Sequence, residues 1–180
     1  MTEAKVGEAF ITHEFDEAIA IQRSIVSAEE KLSKDHPRPE AKRMIKAALK
    51  DDQRFLEQLE ALGLPHGATG KVEEVAGALD ELMQETSEKA AEAESEAYEA
   101  HAVLLNLKRK QQDSGAAMVR IARATKDSKL RDAAMSFTKA TRANAQDLAD
   151  ELARFAVAIA TADAARNGGR RSASAARSSR

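Results

Sequence analysis

The stretch FDEAIAIQRSIVSAEEKLSKDHPRP, residues 15–39, decides the fold class. Phe15, Ala18, Ile19, Gln22, Ile25, Val26, Glu29 and Leu32 recur at steps of three and four, which places them on one face of an α-helix. That helix, A, runs from about Glu3 to Leu32. It stops where Pro37 and Pro39 block continuation, and Pro39 suits the first turn of a second helix, where a missing N–H costs nothing.

Working outward, helix B spans about Glu40 to Leu62, with Ile45, Ala48, Leu49, Asp52, Phe55, Leu56, Leu59 and Leu62 as its stripe. Gly63 is expected to supply a left-handed turn at its end and Pro65 to prevent resumption. Val72, Val75, Ala76, Leu79, Leu82 and Met83 then form a short amphipathic stretch, read as a connecting helix. Helix C is expected from about Thr86 to Gln112, on Ala90, Ala93, Ala97, Ala100, Leu104 and Leu107, ending at the turn signal Asp113-Ser114-Gly115. Helix D covers about Ala116 to Ala165 through Met118, Ile121, Ala122, Leu130, Ala134, Phe137, Thr141, Leu148, Leu152, Phe155 and Ile159. Thr125-Lys126-Asp127-Ser128 is a possible interruption, since Asp127 and Ser128 are good N-caps. The plan is two hairpins joined by one long crossover, an all-α four-helix bundle; an up-and-down bundle is the alternative.

Composition agrees. Of 180 residues 43 % are apolar but only 3 % aromatic, with no Trp and three Pro, so the core is made of small and aliphatic side chains, which suits packed helices. One domain, residues 1–165, accounts for that length. The absence of cysteine excludes disulfides, thiolate metal sites and cysteine nucleophiles. The start, MTEAKVGEAFITHEF, lacks the pattern of a secretory signal, and no run of about 18 apolar residues exists, so a cytoplasmic protein without membrane contact is expected. The net charge of −2 conceals an asymmetry. Residues 166–180 hold five arginines (Arg166, Arg170, Arg171, Arg177, Arg180) and no acid, leaving 23 basic against 30 acidic residues in the body, a net of −7. A disordered basic tail beyond Asn167-Gly168-Gly169 is expected, able to touch an acidic protein or a nucleic-acid backbone.

The order of these signals resembles that of small bacterial ferritin-like proteins, often stress-associated and mostly of unassigned activity. The resemblance rests on Ala20-Ile21-Gln22-Arg23-Ser24-Ile25-Val26, Phe55-Leu56-Glu57-Gln58-Leu59-Glu60-Ala61-Leu62-Gly63, Val75-Ala76-Gly77-Ala78-Leu79-Asp80-Glu81 and Glu96-Ala97-Tyr98-Glu99, across residues 10–156. It implies a ferritin-like bundle, a homodimer and, where the ligands are kept, a di-iron or di-manganese centre built from inward carboxylates and Glu-x-x-His pairs. The ligands are mostly gone. Gln22 stands where an acid is expected, Met44 near an expected histidine, and Ala140 and Thr141 where further acids would fall. Glu96 and Glu99 alone keep the pattern, and His101 lies on a different face from Glu99.

Gln22, Glu29, Asp52 and Thr141 interrupt apolar stripes. They could form an inward polar layer, but stripe edges commonly reach solvent, and the outward reading is the expected one. Glu29 and Asp52 lie on helices joined by a short turn, so with Glu96 and Glu99 they are the candidate metal ligands. Glu92, Glu94, Glu96 and Glu99 read as a solvated acidic face. His13, His36, His66 and His101 are dispersed, and no nucleophile triad or phosphate-cradling loop is present. The expectation is therefore a non-catalytic ferritin-like protein with a structural, stress-associated or protein-binding role. The alternatives are a degenerate metal-carboxylate oxidase or metal-storage protein, and a helical adaptor unrelated to ferritin.

Overall fold

The computed structural model describes the backbone of residues 3–70 and 94–177, and the side chains of 7–70 and 94–162. The described residues form four helices, α1 (Glu3–Asp35), α2 (Pro39–Gly63), α3 (Glu94–Thr125) and α4 (Ser128–Arg177), and a 3-10 turn at Leu64–His66. No strand occurs among the described residues. The connecting helix expected at 72–83 and the expected start of helix C at 86–93 lie outside them.

α1 packs beside α2 and α3, and α4 packs beside the same two. Lys108 of α3 meets Glu29 of α1, and Gln111, further along α3, meets Gln22, earlier in α1, so these two helices are antiparallel. Antiparallel packing also relates α4 to α2, because Phe137 stacks on Phe55 while Glu151 pairs with Arg38. α2 and α3 consequently run in the same direction on opposite corners. The all-α helical bundle expected from the sequence is thus observed among the described residues.

The apolar core falls into two clusters. One holds Ile21, Ile25 and Leu32 of α1 with Ile45, Leu104, Leu148 and Phe155; the other holds Phe15 and Ile19 with Phe55, Leu59, Met118 and Phe137. Side chains as completely buried as Ile21, Ile25 and Leu104 stabilise the fold by about 1.5–3 kcal/mol each. Between the clusters lies a polar layer to which every helix contributes: Gln22 and Glu29, Asp52, Lys108 and Gln111, and Thr141, all buried. The outward reading of Gln22, Glu29, Asp52 and Thr141 is thus corrected. Their stripe positions are central, not marginal, and Gln22 and Asp52 find hydrogen-bond partners on other helices.

Helix boundaries bring further corrections. α3 does not stop at Asp113-Ser114-Gly115 but continues to Thr125, and the hairpin turn is Lys126-Asp127, where Lys126 takes a left-handed φ of 59°. Asp127 caps α4, its Oδ1 accepting from Leu130 N at 3.0 Å. Gly115 serves packing instead: a Cβ there would lie 2.5 Å from Thr138 Oγ1 and 3.2 Å from the Phe137 ring, so glycine lets α3 and α4 approach. Likewise Gly63 is helical, and Gly67 supplies the left-handed turn at φ 75°. Gly63 sits instead against Ala68, Ile19 and Phe15, where an added Cβ would come within 3.1 to 3.3 Å of their side chains. At the other end, the α4 backbone remains helical through Arg177, past the Gly168-Gly169 break that composition suggested. No helix among the described residues is long and apolar enough to cross a membrane.

Candidate functional site: a buried lysine between two carboxylates

Lys108 lies one turn beyond Leu104 on the inner face of α3, and its side chain is fully buried. Its Nζ donates to Asp52 Oδ2 at 2.6 Å and lies 2.7 Å from Glu29 Oε1. Neither Glu29 oxygen has a well-aligned donor in this contact. Asp52 Oδ1 accepts from Gln22 Nε2 at 2.8 Å, and the same nitrogen reaches the Asp52 carbonyl at 3.1 Å. Gln111 Nε2 closes the network, donating to Gln22 Oε1 at 3.0 Å and to the Ala18 carbonyl at 2.9 Å. Three helices thus hold one ammonium in a buried polar layer.

The protonation states follow from burial and charge. Burial pushes the Glu29 carboxyl up to about 8, with the neighbouring Asp52 adding to the rise and Lys108 opposing it. Burial on its own would lower Lys108, but the two carboxylates outweigh it and raise its pKa, so the ammonium keeps its charge. At neutral pH Glu29 holds its proton and Lys108 pairs with Asp52. The layer is then close to neutral, the condition under which ionisable groups persist in a core.

A cleft of about 310 Å³ opens between α2 and α4 and reaches this layer, with Asp52, Thr141, Phe55, Phe137 and Asn144 among its walls. Asp52, itself 3 % exposed, is the member of the network that borders it.

Near the α1–α2 turn a second polar cluster ties the helices together. His36 and His101, both fully buried, have ring centroids 5.4 Å apart, and His36 also packs against Phe155. His36 Nδ1 accepts from Arg38 N at 3.1 Å, so the ring is neutral with its proton on Nε2, which has no partner. Burial, then the neighbouring His101 and Arg38, lower His36 to about 4; burial also lowers His101. Glu151, equally buried, accepts from Arg38 Nε at 2.6 Å and Arg154 Nη1 at 3.0 Å. The turn is thereby tied to α3 and α4.

No family model matches this chain, and neither curated proteins nor solved structures offer a match.

Of the four candidate metal ligands, Glu29 and Asp52 converge, while Glu96 and Glu99 stand apart. Glu96 lies three turns before Lys108 on α3, about 18 Å along the axis. It is half-buried with one oxygen unpartnered, and Glu99 is exposed. Among the described residues no group of three or more His, Asp or Glu is placed to hold a metal ion. Met44 is half-buried and Ala140 exposed, and neither side chain is a carboxylate or imidazole ligand. The histidines are less scattered than their numbering suggested: His36, expected in a loop, and His101 meet in the core. Lys108, Gln111 and Glu151 escaped the sequence reading. Lys108 sits in Leu107-Lys108-Arg109-Lys110, which reads as a solvated basic run; only its step of four from Leu104 hints otherwise.

Proposed function

We propose that this chain is a non-catalytic ferritin-like bundle with a structural, stress-associated or protein-binding role, in which the Lys108 ammonium takes the place that metal ions fill in metal-bearing members. The observation that carries this reading is the contact of Lys108 Nζ with Asp52 at 2.6 Å and Glu29 at 2.7 Å, a protein-supplied cation between the two converging acids. The parallel, diagonal placement of α2 and α3 supports the ferritin-like part of the reading. A homodimer belongs to the same proposal, and Val157, 63 % exposed among the alanines of α4, offers it an apolar surface.

Anaerobic loading with Fe(II) or Mn(II), followed by desalting and elemental analysis, tests it. The expected result is no stoichiometric metal on the native chain. Two ions per chain, lost in Glu29→Gln or Asp52→Asn, would overturn it in favour of a metal-carboxylate oxidase or storage protein. That second reading draws on the convergence of Glu29 and Asp52 beside a cleft. Lys108→Met, which removes the competing cation, is the variant in which metal binding would then strengthen.

A further inference from the structure

We propose that the groove between the second half of α3 and the first part of α4 docks an acidic amphipathic helix of a partner protein; this gives partner chemistry to the protein-binding part of the reading above and rests on it. The groove has a volume of about 380 Å³. Ala116, Val119 and Met135 contribute apolar surface to it, and Met135 is 48 % exposed.

Four cations line it. Arg120 and Arg123 stand three apart on α3, and Lys139 and Arg142 three apart on α4, so each helix presents two positive side chains along its rim. Among the described residues none of the four pairs with a carboxylate, whereas Arg23, Arg38, Arg43, Arg54, Arg131 and Arg154 all do. Residues 114–126 and 133–146 contain no Asp or Glu at all, in a chain that has 30 of them. The acids have been kept away from this one face.

Two antiparallel helices form a natural seat for a third, whose apolar stripe lies along the floor. Cationic rims on both sides select carboxylates flanking that stripe. Phosphodiesters would use the rims but gain nothing from an apolar floor, and a lipid surface does not enter a concave groove. The observations therefore favour a helix with leucine-like residues at helical spacing and Glu or Asp on both borders.

The test is fluorescence anisotropy of the full chain with a labelled synthetic peptide of that pattern, leucines flanked by glutamates. A counterpart with lysine for glutamate, a single-stranded RNA oligonucleotide and phosphatidylglycerol vesicles are measured alongside. The glutamate peptide should bind, more weakly as salt is raised, and Arg120→Glu with Arg142→Glu should cost about tenfold or more in affinity. Met135→Asp, which spoils the floor and leaves the cations, should weaken binding by a similar factor; circular dichroism confirms that these exposed substitutions leave the helices intact. Failure of the glutamate peptide to bind, equal binding of the lysine peptide, or retention of RNA or vesicles in its place would each overturn the proposal. None of these results depends on metal content, so failure here and failure of the metal-loading test are separable.

Discussion

Lys108→Met removes the charge from the central layer while keeping an unbranched side chain in the same space. In the native protein the ammonium, fully buried, is 2.6 Å from Asp52 and 2.7 Å from Glu29. Removing one partner of a buried pair leaves the other uncompensated, at a cost of about 3–5 kcal/mol. That is a large share of the ~5–15 kcal/mol by which a domain is stable. Glu29, protonated at neutral pH, carries little of the loss; Asp52 carries most. Adding Asp52→Asn should therefore recover at least half of it, because the amide oxygen can still accept from Gln22 Nε2 and no buried charge remains. Urea unfolding at pH 7, followed by circular dichroism, measures both variants, with unchanged m-values as the check that the comparison is sound. A loss below about 1 kcal/mol in the single variant, or a double variant no more stable than the single, would refute the account of a buried, charge-balanced layer.

Three more outcomes follow from the same structure. Glu29 binds its proton more tightly folded than unfolded, so its contribution is fully present below pH 4.5 and is lost as pH rises towards about 8, by at most ~1.4 kcal/mol per pH unit; Glu29→Gln should flatten the fall in stability between pH 6.5 and 8. His36 has the opposite sign: its folded pKa of about 4 lies below the ordinary 6.5, so stability present above pH 6.5 is lost as pH falls towards 4. Because the two slopes oppose each other between pH 4.5 and 6.5, the histidine effect is best read by urea unfolding in the Glu29→Gln background, where His36→Phe should remove much of it. Gly115→Ala should cost about 1–3 kcal/mol despite its better helix propensity, since the new methyl meets Thr138 Oγ1, itself held by the Ala134 carbonyl at 2.7 Å. Thr138→Ala should restore part of that loss, as thermal unfolding of the double variant would show.

The helical stripes were legible because burial of a helix face imposes its period on the residues directly. Phe15, Ile19, Ile25 and Leu32 on α1, and Ile45, Phe55 and Leu59 on α2, are buried where their spacing put them. The first turn was legible for a similar reason, since Pro37 and Pro39 act on the backbone locally. The second was misplaced because a glycine inside a helix and a glycine ending one look alike in sequence. What distinguishes Gly115 is the side chain of Thr138 on the facing helix.

The chain by itself determined an all-helical fold and the inward face of most helices. Whether Gln22, Glu29 and Asp52 turn inward was decided only by tertiary structure, because a polar side chain is stable in a core only where partners meet it. For Asp52 that partner is a lysine 56 residues away on a diagonal helix. No local pattern encodes that meeting, and the same packing that hides Lys108 from solvent hid it from a reading of the sequence.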